Sequence, residues 1–80
     1  MKETGIVSNY FDHVKAAAIK LNGSLKVGDK IQIKGGETDF EQDVKEMQIN
    51  RKDVKSGKKG DEVGIIVDKK VRKGYKVFKI

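Results

Sequence analysis

The clearest pattern in the chain is an alternation of hydrophobic and polar residues in its last third. Residues 62–67 alternate in this way, and residues 75–80 repeat the pattern behind Gly74. A period of two is typical of a strand with one buried face, so both runs predict strands. Residues 30–34 follow a turn at residues 28–29 and place two isoleucines on one face, which predicts a third strand.

The segment after Asp12 supports two interpretations. Asp12 could cap a helix, because aspartate accepts hydrogen bonds from the first free amides of a helix. The apolar stripe of that helix would comprise Val14, Ala17, Ala18 and Leu21. Three consecutive alanines strengthen the helical interpretation, since alanine has the highest helix propensity. Residues 14–21 could instead form a strand that lines a barrel, with small alanines where the strand curves.

Residues 38–50 leave the same choice open. Thr38 and Glu41 have the spacing of a capping box. The helical stripe behind them would comprise Phe40, Val44 and Met47. Alternatively, residues 42–50 form a strand with a bulge, because the parity of the apolar positions changes after Val44. If both segments follow their local signals and form helices, the protein belongs to the α+β class. If both form strands, the domain is all-β.

Length and composition exclude several kinds of chemistry. The 80 residues are 36% hydrophobic, which predicts one domain over residues 1–80 with too thin a core for a deep substrate pocket. There is no cysteine and His13 is the only histidine, so thiolate nucleophiles and histidine clusters for metals are excluded. No apolar run reaches the ~18 residues of a membrane span, and we expect a cytoplasmic protein without membrane association. High lysine and glutamate content predicts a protein from a hot environment.

No motif for nucleotide or metal binding is present. Residues 23–30 have the two glycines of a phosphate-binding loop, but Asp29 occupies the position of the required lysine. We therefore interpret this segment as a turn and expect no nucleotide binding by the chain itself. The acidic residues between positions 37 and 46 lack the spacing of a calcium loop and indicate a solvated rim. The sequence thus predicts a protein that is not an enzyme, with no catalytic residue, no metal and no cofactor.

Three of the five aromatic residues are assigned to the core, and the assignment of the other two is open. We expect Phe11, Phe40 and Phe78 in the core, because a domain of this size needs about that much aromatic area. Tyr10 and Tyr75 are left open, either as core residues or as stacking surfaces for single-stranded bases.

The net charge of +6 is concentrated at the end of the chain. Residues 1–50 carry 7 basic and 8 acidic side chains, whereas residues 51–80 carry 11 basic and 4 acidic ones. Such a cluster can mark a nucleic-acid surface, because lysine and arginine displace the counterions condensed on phosphates. It can also be a solvated face that keeps a small protein in solution, and charge alone favours this second interpretation.

The order of turns and strands resembles domain II of the translation GTPases, the small β-barrel of the elongation factor Tu and initiation factor two families. The resemblance lies in the patterns G-x-V, L-x-V-G-D-x-I-x-I, G-D-x-V-G-I and V-R-x-G. They fall within residues 5–11, 25–35, 58–65 and 71–78. Each glycine-aspartate pair is expected where a strand begins. Tyr75 departs from the pattern, because the family usually has aspartate there.

This resemblance implies a fold and a function for residues 1–80. The fold would be all-β, a small closed antiparallel β-barrel of the translation-factor domain II type. The function would be non-catalytic binding of RNA or the ribosome through a basic surface. The residues assigned to that surface are Lys52, Lys55, Lys58, Lys59, Lys69, Lys70, Arg72 and Lys73. A similar barrel is appended to some collagenase-like peptidases, so the alternative is a protein-interaction module that acts as a detached subunit of a larger GTPase or peptidase.

Overall fold

The computed structural model describes residues 2–80, which form ten β-strands joined by turns. The strands are β1 (Lys2–Phe11), β2 (Ala16–Leu21), β3 (Leu25–Lys26), β4 (Lys30–Gly35), β5 (Thr38–Asp43), β6 (Met47–Ile49), β7 (Lys52–Asp53), β8 (Ser56–Gly57), β9 (Glu62–Ile66) and β10 (Lys76–Lys79). Both segments with helical signals are extended, so the predicted all-β class is confirmed. Among residues 2–80 there is no helix that is long and apolar enough to cross a membrane.

Eight of the strands form one antiparallel sheet in the order β5-β4-β10-β1-β2-β9-β6-β7, and β3 pairs with β8 in a second, two-stranded sheet. The first and last long strands, β1 and β10, are neighbours in the large sheet. The hydrogen-bonded order of the described strands ends at β5 and at β7, and no closed barrel is found. The prediction of a closed barrel is therefore not supported, while the antiparallel all-β arrangement holds.

Strand β2 shows why the helical interpretation of residues 14–21 is wrong. Ala17, Ile19 and Leu21 are buried and their neighbours are more exposed, which is the period of a strand. Val14, the first residue of the expected helical stripe, is 51% exposed. Pairing with β1 on one side and β9 on the other provides hydrogen bonds for both edges of β2. This tertiary pairing outweighs the helix propensity of the alanines.

Residues 42–50 form two strand segments with an interruption between them. Strand β5 ends at Asp43, residues 44–46 lie outside any strand, and β6 begins at Met47. Val44 and Met47 are both buried, so the parity of the buried positions changes here, but through a break between two strands and not through the bulge expected within one strand. The backbone N–H of Val44 donates to the carbonyl of Asp29 at 2.9 Å, which holds the interruption against the turn before β4.

Three similar turns precede β4, β9 and β10. Gly28, Gly60 and Gly74 each adopt a φ between 94° and 98°, a conformation that favours glycine. In the third turn the N–H of Tyr75 donates to the carbonyl of Arg72 at 3.2 Å. The turn predicted there is thus confirmed although tyrosine replaces aspartate.

In the first two turns, an aspartate side chain binds the backbone at the beginning of the turn. The N–H of Lys26 donates to Asp29 Oδ2 at 2.9 Å, and the N–H of Lys58 donates to Asp61 Oδ2 at 3.0 Å. Both glycine-aspartate pairs directly precede a strand, β4 and β9, as the sequence predicted.

The aromatic residues follow the expected division only in part. Phe40 is 8% exposed and belongs to the core, and Phe78 is half-buried. Phe11 is 42% exposed, so its assignment to the core is wrong. Tyr10 and Tyr75 are half-buried and pack against the core.

The ion pairs are isolated rather than networked within residues 2–80. They join Lys30 to Glu41 at 3.6 Å, Lys76 to Glu3 at 3.8 Å, and Lys79 to Asp29 at 3.3 Å. Because exposed single pairs contribute little, they give no support to the expectation of a heat-adapted ion-pair network.

Candidate interaction surfaces

The eight basic residues predicted as one surface fall into separate groups. Lys52 is on β7, Lys55 follows it, and Lys58 and Lys59 precede β9. The other four lie within residues 69–73, after the end of β9. Because β9 has five residues and is therefore roughly 15 Å long, the groups before and after it lie at opposite ends of one strand.

Exposure of these basic side chains is uniform, but their surroundings differ. All eight are exposed, and within residues 2–80 none of them forms an ion pair. The Lys69 ammonium lies 5.9 Å from the centroid of the Phe40 ring, a cation–π distance at which the lysine covers a core residue. A role of these eight residues in binding stays a prediction, and the structure divides them between two places.

A shallow groove lies on the outer face of β1, β2, β9 and β6, where the sequence suggested no site. Ala18 lies opposite Asn9 on β1 and opposite Gly64 on β9, and Gly64 lies opposite Gln48 on β6. A Cβ atom at Gly64 would meet nothing nearer than the Gln48 carbonyl oxygen, 4.0 Å away. Two small residues side by side therefore leave a depression whose floor is largely backbone.

Apolar side chains border this depression. Phe11 lies opposite Ala16, and Ala16 lies opposite Ile66, so the three share the outer face. Phe11, Val14 and Ile66 are 42%, 51% and 47% exposed, so three of the five large exposed apolar side chains among the described residues lie here. We call the outer groove the space of about 780 Å³ that is lined by Phe11, Val14, Ala16, Ala18, Gln48, Arg51 and Gly64.

Arg51 reaches the rim of the outer groove from a strained turn. Asn50 and Arg51 form the two-residue connection between β6 and β7, and their φ angles are 52° and 65°. Asparagine tolerates this left-handed region, whereas arginine adopts it at a cost of about 1 kcal/mol. Strain of this kind is often retained where a side chain must point toward a binding surface.

A second cleft lies beside the two-stranded sheet. Leu25 pairs with Gly57 and both are buried, so the neighbouring pair, Lys26 and Ser56, points outward. Continuing this register by one residue places Ser24 opposite Lys58. We call the lysine–serine cleft the space of about 510 Å³ whose outward-facing lining includes Ser24, Lys26, Ser56 and Lys58.

The carboxylates beside this cleft are already engaged. Asp61 binds the N–H of Lys58, and Asp29 binds both the N–H of Lys26 and the ammonium of Lys79. Within residues 2–80, the ammonium groups of Lys26 and Lys58 therefore have no carboxylate partner. Lys26 was absent from the predicted basic surface because only the later lysines are clustered in the sequence. The repeated K-x-G-D pattern at residues 26–29 and 58–61 was the signal that could have paired them.

The phenol of Tyr10 has a perturbed pKa. The half-burial of Tyr10 raises the pKa of its phenol above the usual 10.0, and the carboxylate of Asp12 raises it further. The phenol oxygen lies 3.4 Å from Asp12 Oδ1. Across residues 2–80, no three carboxylate or imidazole side chains come together as they would to hold a metal ion.

Comparison with known proteins connects the chain to peptidases. It is 46% identical over 77 residues to an uncharacterised protease of Methanocaldococcus jannaschii, and the match covers 95% of this chain but 19% of the protease. The chain thus spans about a fifth of the curated relative it matches. No known protein-family model matches the chain.

Two solved structures share the fold. Both are crystal structures of the C-terminal domain of a putative U32 peptidase from Geobacillus thermoleovorans, one of them a selenomethionine variant. The variant has a TM-score of 0.92 at 15% identity and covers 96% of this chain and 98% of that domain. The other has a TM-score of 0.93 at 16% identity and covers 99% of this chain and 92% of that domain.

These relatives correct the assignment made from the sequence motifs. The similar proteins are a protease and the C-terminal domain of a putative peptidase, so the identification with domain II of the translation GTPases is wrong. The translation-factor, ribosomal and RNA-binding roles that the resemblance implied are withdrawn with it. The glycine-aspartate turns that carried the resemblance are real, but such residues are favoured in tight turns generally, and they do not distinguish the two kinds of domain.

Proposed function

We propose that the chain is a non-catalytic protein-interaction module that associates with the remainder of a U32-type peptidase. The observation that carries this proposal is the 46% identity to one fifth of the M. jannaschii protease. Most of that protease lies outside the match, and a segment of this length is suited to packing against a larger body. The shared fold with the C-terminal domain of a putative U32 peptidase supports the same placement.

The absence of an assembled catalytic group favours a non-catalytic role. His13 is exposed in the turn between β1 and β2, and the aspartates nearest the lysine–serine cleft are committed to backbone amides. A hydrolytic site needs a nucleophile or activated water with a positioned base. The Ser8 hydroxyl donates to Glu62 Oε2 at 2.6 Å, but this serine–carboxylate contact has no imidazole between its two members. The cysteine-free composition is compatible with action in the cytoplasm.

We assign the outer groove as the docking surface for the peptidase body. Its exposed apolar border, Phe11 and Val14, would be buried on association, and its floor at Ala18 and Gly64 would admit side chains from the partner. Arg51 at the rim would supply a polar contact at the edge of an apolar patch.

The test is reconstitution from two parts. The M. jannaschii protease is prepared without the segment that matches this chain, and the 80-residue chain is added in trans, with the protease's own segment as the positive control. We expect a nuclease-resistant one-to-one complex in size-exclusion chromatography and calorimetry. Failure of this chain to bind where the protease's own segment binds, or failure of both, would refute the docking role.

Two substitutions locate the surface. Val14→Ser should weaken the complex, whereas Ile80→Ser should not, because Ile80 is similarly exposed at 53% but lies away from the outer groove. Gly64→Gln would fill the floor, where the added Cβ meets nothing nearer than 4.0 Å in the free chain, and should also weaken binding. Equal effects of Val14→Ser and Ile80→Ser would exclude the outer groove as the docking surface.

A further inference from the structure

We propose that the lysine–serine cleft binds a phosphate group, either as free inorganic phosphate or as a phosphomonoester carried on a peptide. The cleft lies beside β3 and β8 and the outer groove lies on β1, β2, β9 and β6, with Asp61 lining both. The lysines and serines proposed as ligand donors line only the cleft, so the proposal does not depend on docking to a peptidase.

The register of the two-stranded sheet arranges four donors around one centre. In an antiparallel pair, residues directly opposite each other have Cβ atoms about 5 Å apart, and diagonal neighbours about 7–8 Å apart. Lys26 and Lys58 occupy one diagonal, and Ser24 and Ser56 occupy the other. Two ammonium groups and two hydroxyls can therefore converge on a ligand between the strands.

The number and type of these donors favour a tetrahedral anion. Lys26 and Lys58 supply two ammonium charges, against the one carboxylate, Asp61, that lines the cleft without an ion-pair partner among the described residues. The remaining positive charge attracts a phosphate group, which carries about −1.5 to −2 charges at pH 7. Donors on four sides match the oxygens of a tetrahedral group better than the two coplanar oxygens of a carboxylate. Lysine acts in such sites as a point charge, which suits a ligand held from several directions.

The carboxylates of Asp29 and Asp61 bind backbone amides and not the ammonium groups of Lys26 and Lys58. Asp29 and Asp61 accept hydrogen bonds from the backbone N–H groups of Lys26 and Lys58, so they fix the backbone of both lysines and leave the ammonium groups available. Lys79 also lines the cleft, but its charge is balanced by Asp29 at 3.3 Å. Asp61 lines the cleft as well and keeps its negative charge, so a ligand meets the ammonium groups of Lys26 and Lys58 beside one carboxylate.

The test is a backbone-amide NMR titration of the 80-residue chain with inorganic phosphate at constant ionic strength, with chloride as the reference anion. We expect saturable shifts at residues 24–26 and 56–58. The Lys26→Gln/Lys58→Gln variant should bind about tenfold or more weakly. The control, Lys45→Gln/Lys70→Gln, removes the same charge from exposed positions outside the cleft and should bind as the unaltered chain does.

A second variant tests the four-donor geometry rather than charge. Ser24→Ala/Ser56→Ala keeps every lysine and should weaken phosphate binding about threefold. Titration with a phosphoserine peptide distinguishes the two sources: tighter binding than free phosphate supports the peptide-borne ligand, and equal or weaker binding supports the free anion. Shifts that do not saturate, an equal loss in the control variant, or full affinity in the serine variant would each overturn the proposal.

Discussion

The ring of Tyr75 lies against the Cα of Gly35, in the space where any other residue at position 35 would carry its Cβ. Strand β10 pairs with β4 from Lys76 opposite Lys34, so the tyrosine comes directly across from the glycine at the next position. The planar ring of Tyr75 packs closely on the backbone of Gly35 because glycine has no side chain. The side chain of Tyr75 thus packs across the sheet, whereas the aspartates of the other two turns bind the backbone of their own turn.

We expect Gly35→Ala to destabilise the domain by about 1–3 kcal/mol, because the added methyl group must displace a ring that is packed against the core. Chemical denaturation measures the change in the free energy of unfolding. Gly64→Ala is the matched control, since a Cβ there contacts nothing within ordinary van der Waals distance, and it should change stability by less than about 0.5 kcal/mol. If both substitutions change the free energy of unfolding equally, the Tyr75 ring moves aside without destabilising the domain.

Arg51→Gly should stabilise the domain by about 0.5–1 kcal/mol, because glycine accepts the positive φ of the turn between β6 and β7 without strain. Urea denaturation of the single variant tests this. Lys45→Gly removes a cation from a position without positive φ and is expected to be neutral or destabilising. If Arg51→Gly lowers stability as Lys45→Gly does, the turn is not strained.

Gln42 joins two distant parts of the sheet through its buried side chain. Its Nε2 donates to the Ile66 carbonyl at 2.8 Å, and its Oε1 accepts from the N–H of Asp68 at 2.8 Å. Gln42→Leu should cost about 1–3 kcal/mol in the free energy of unfolding, because both backbone groups lose their partner in a partly buried place. Gln48→Leu removes an exposed hydrogen bond to Asp53 and serves as the control, with a change below about 0.5 kcal/mol expected. If Gln42→Leu leaves the free energy of unfolding unchanged, water must replace the side-chain amide as hydrogen-bond partner of the two backbone groups.

Stability should fall at alkaline pH through the phenol of Tyr10. Half-burial and Asp12 raise the pKa of this group in the folded chain above its usual 10.0. The folded state then holds the proton longer than the unfolded state, so stability is complete below the unfolded pKa and decreases as the pH rises through it. Absorbance titration in a Tyr75→Phe background follows Tyr10 alone. Asp12→Asn should lower its pKa, and an unchanged pKa would exclude a contribution from the carboxylate.

Short-range signals in the sequence determined much of this protein. The alternation of residues 62–67 and 75–80 gave two of the strands, and the glycine-aspartate pairs located turns in which a positive φ leaves glycine as the favoured residue. The charge distribution also led to a predicted surface of eight basic residues, and all eight side chains are exposed. These features depend on neighbours a few positions apart, which a single sequence displays directly.

Other features were decided only by tertiary structure. Residues 16–21 became a strand because the preceding strand β1 and the distant strand β9 supply partners on both sides. Phe11 became exposed because it shares the outer face with Ala16 and Ile66. The lysine–serine cleft depends on a register that joins residues about thirty positions apart, as pairing of Leu25 with Gly57 does. Sequence periodicity reports which residues share a face of one strand. Which strands become neighbours is settled by long-range hydrogen bonding and packing, so the surfaces built from several strands appear only in the folded chain.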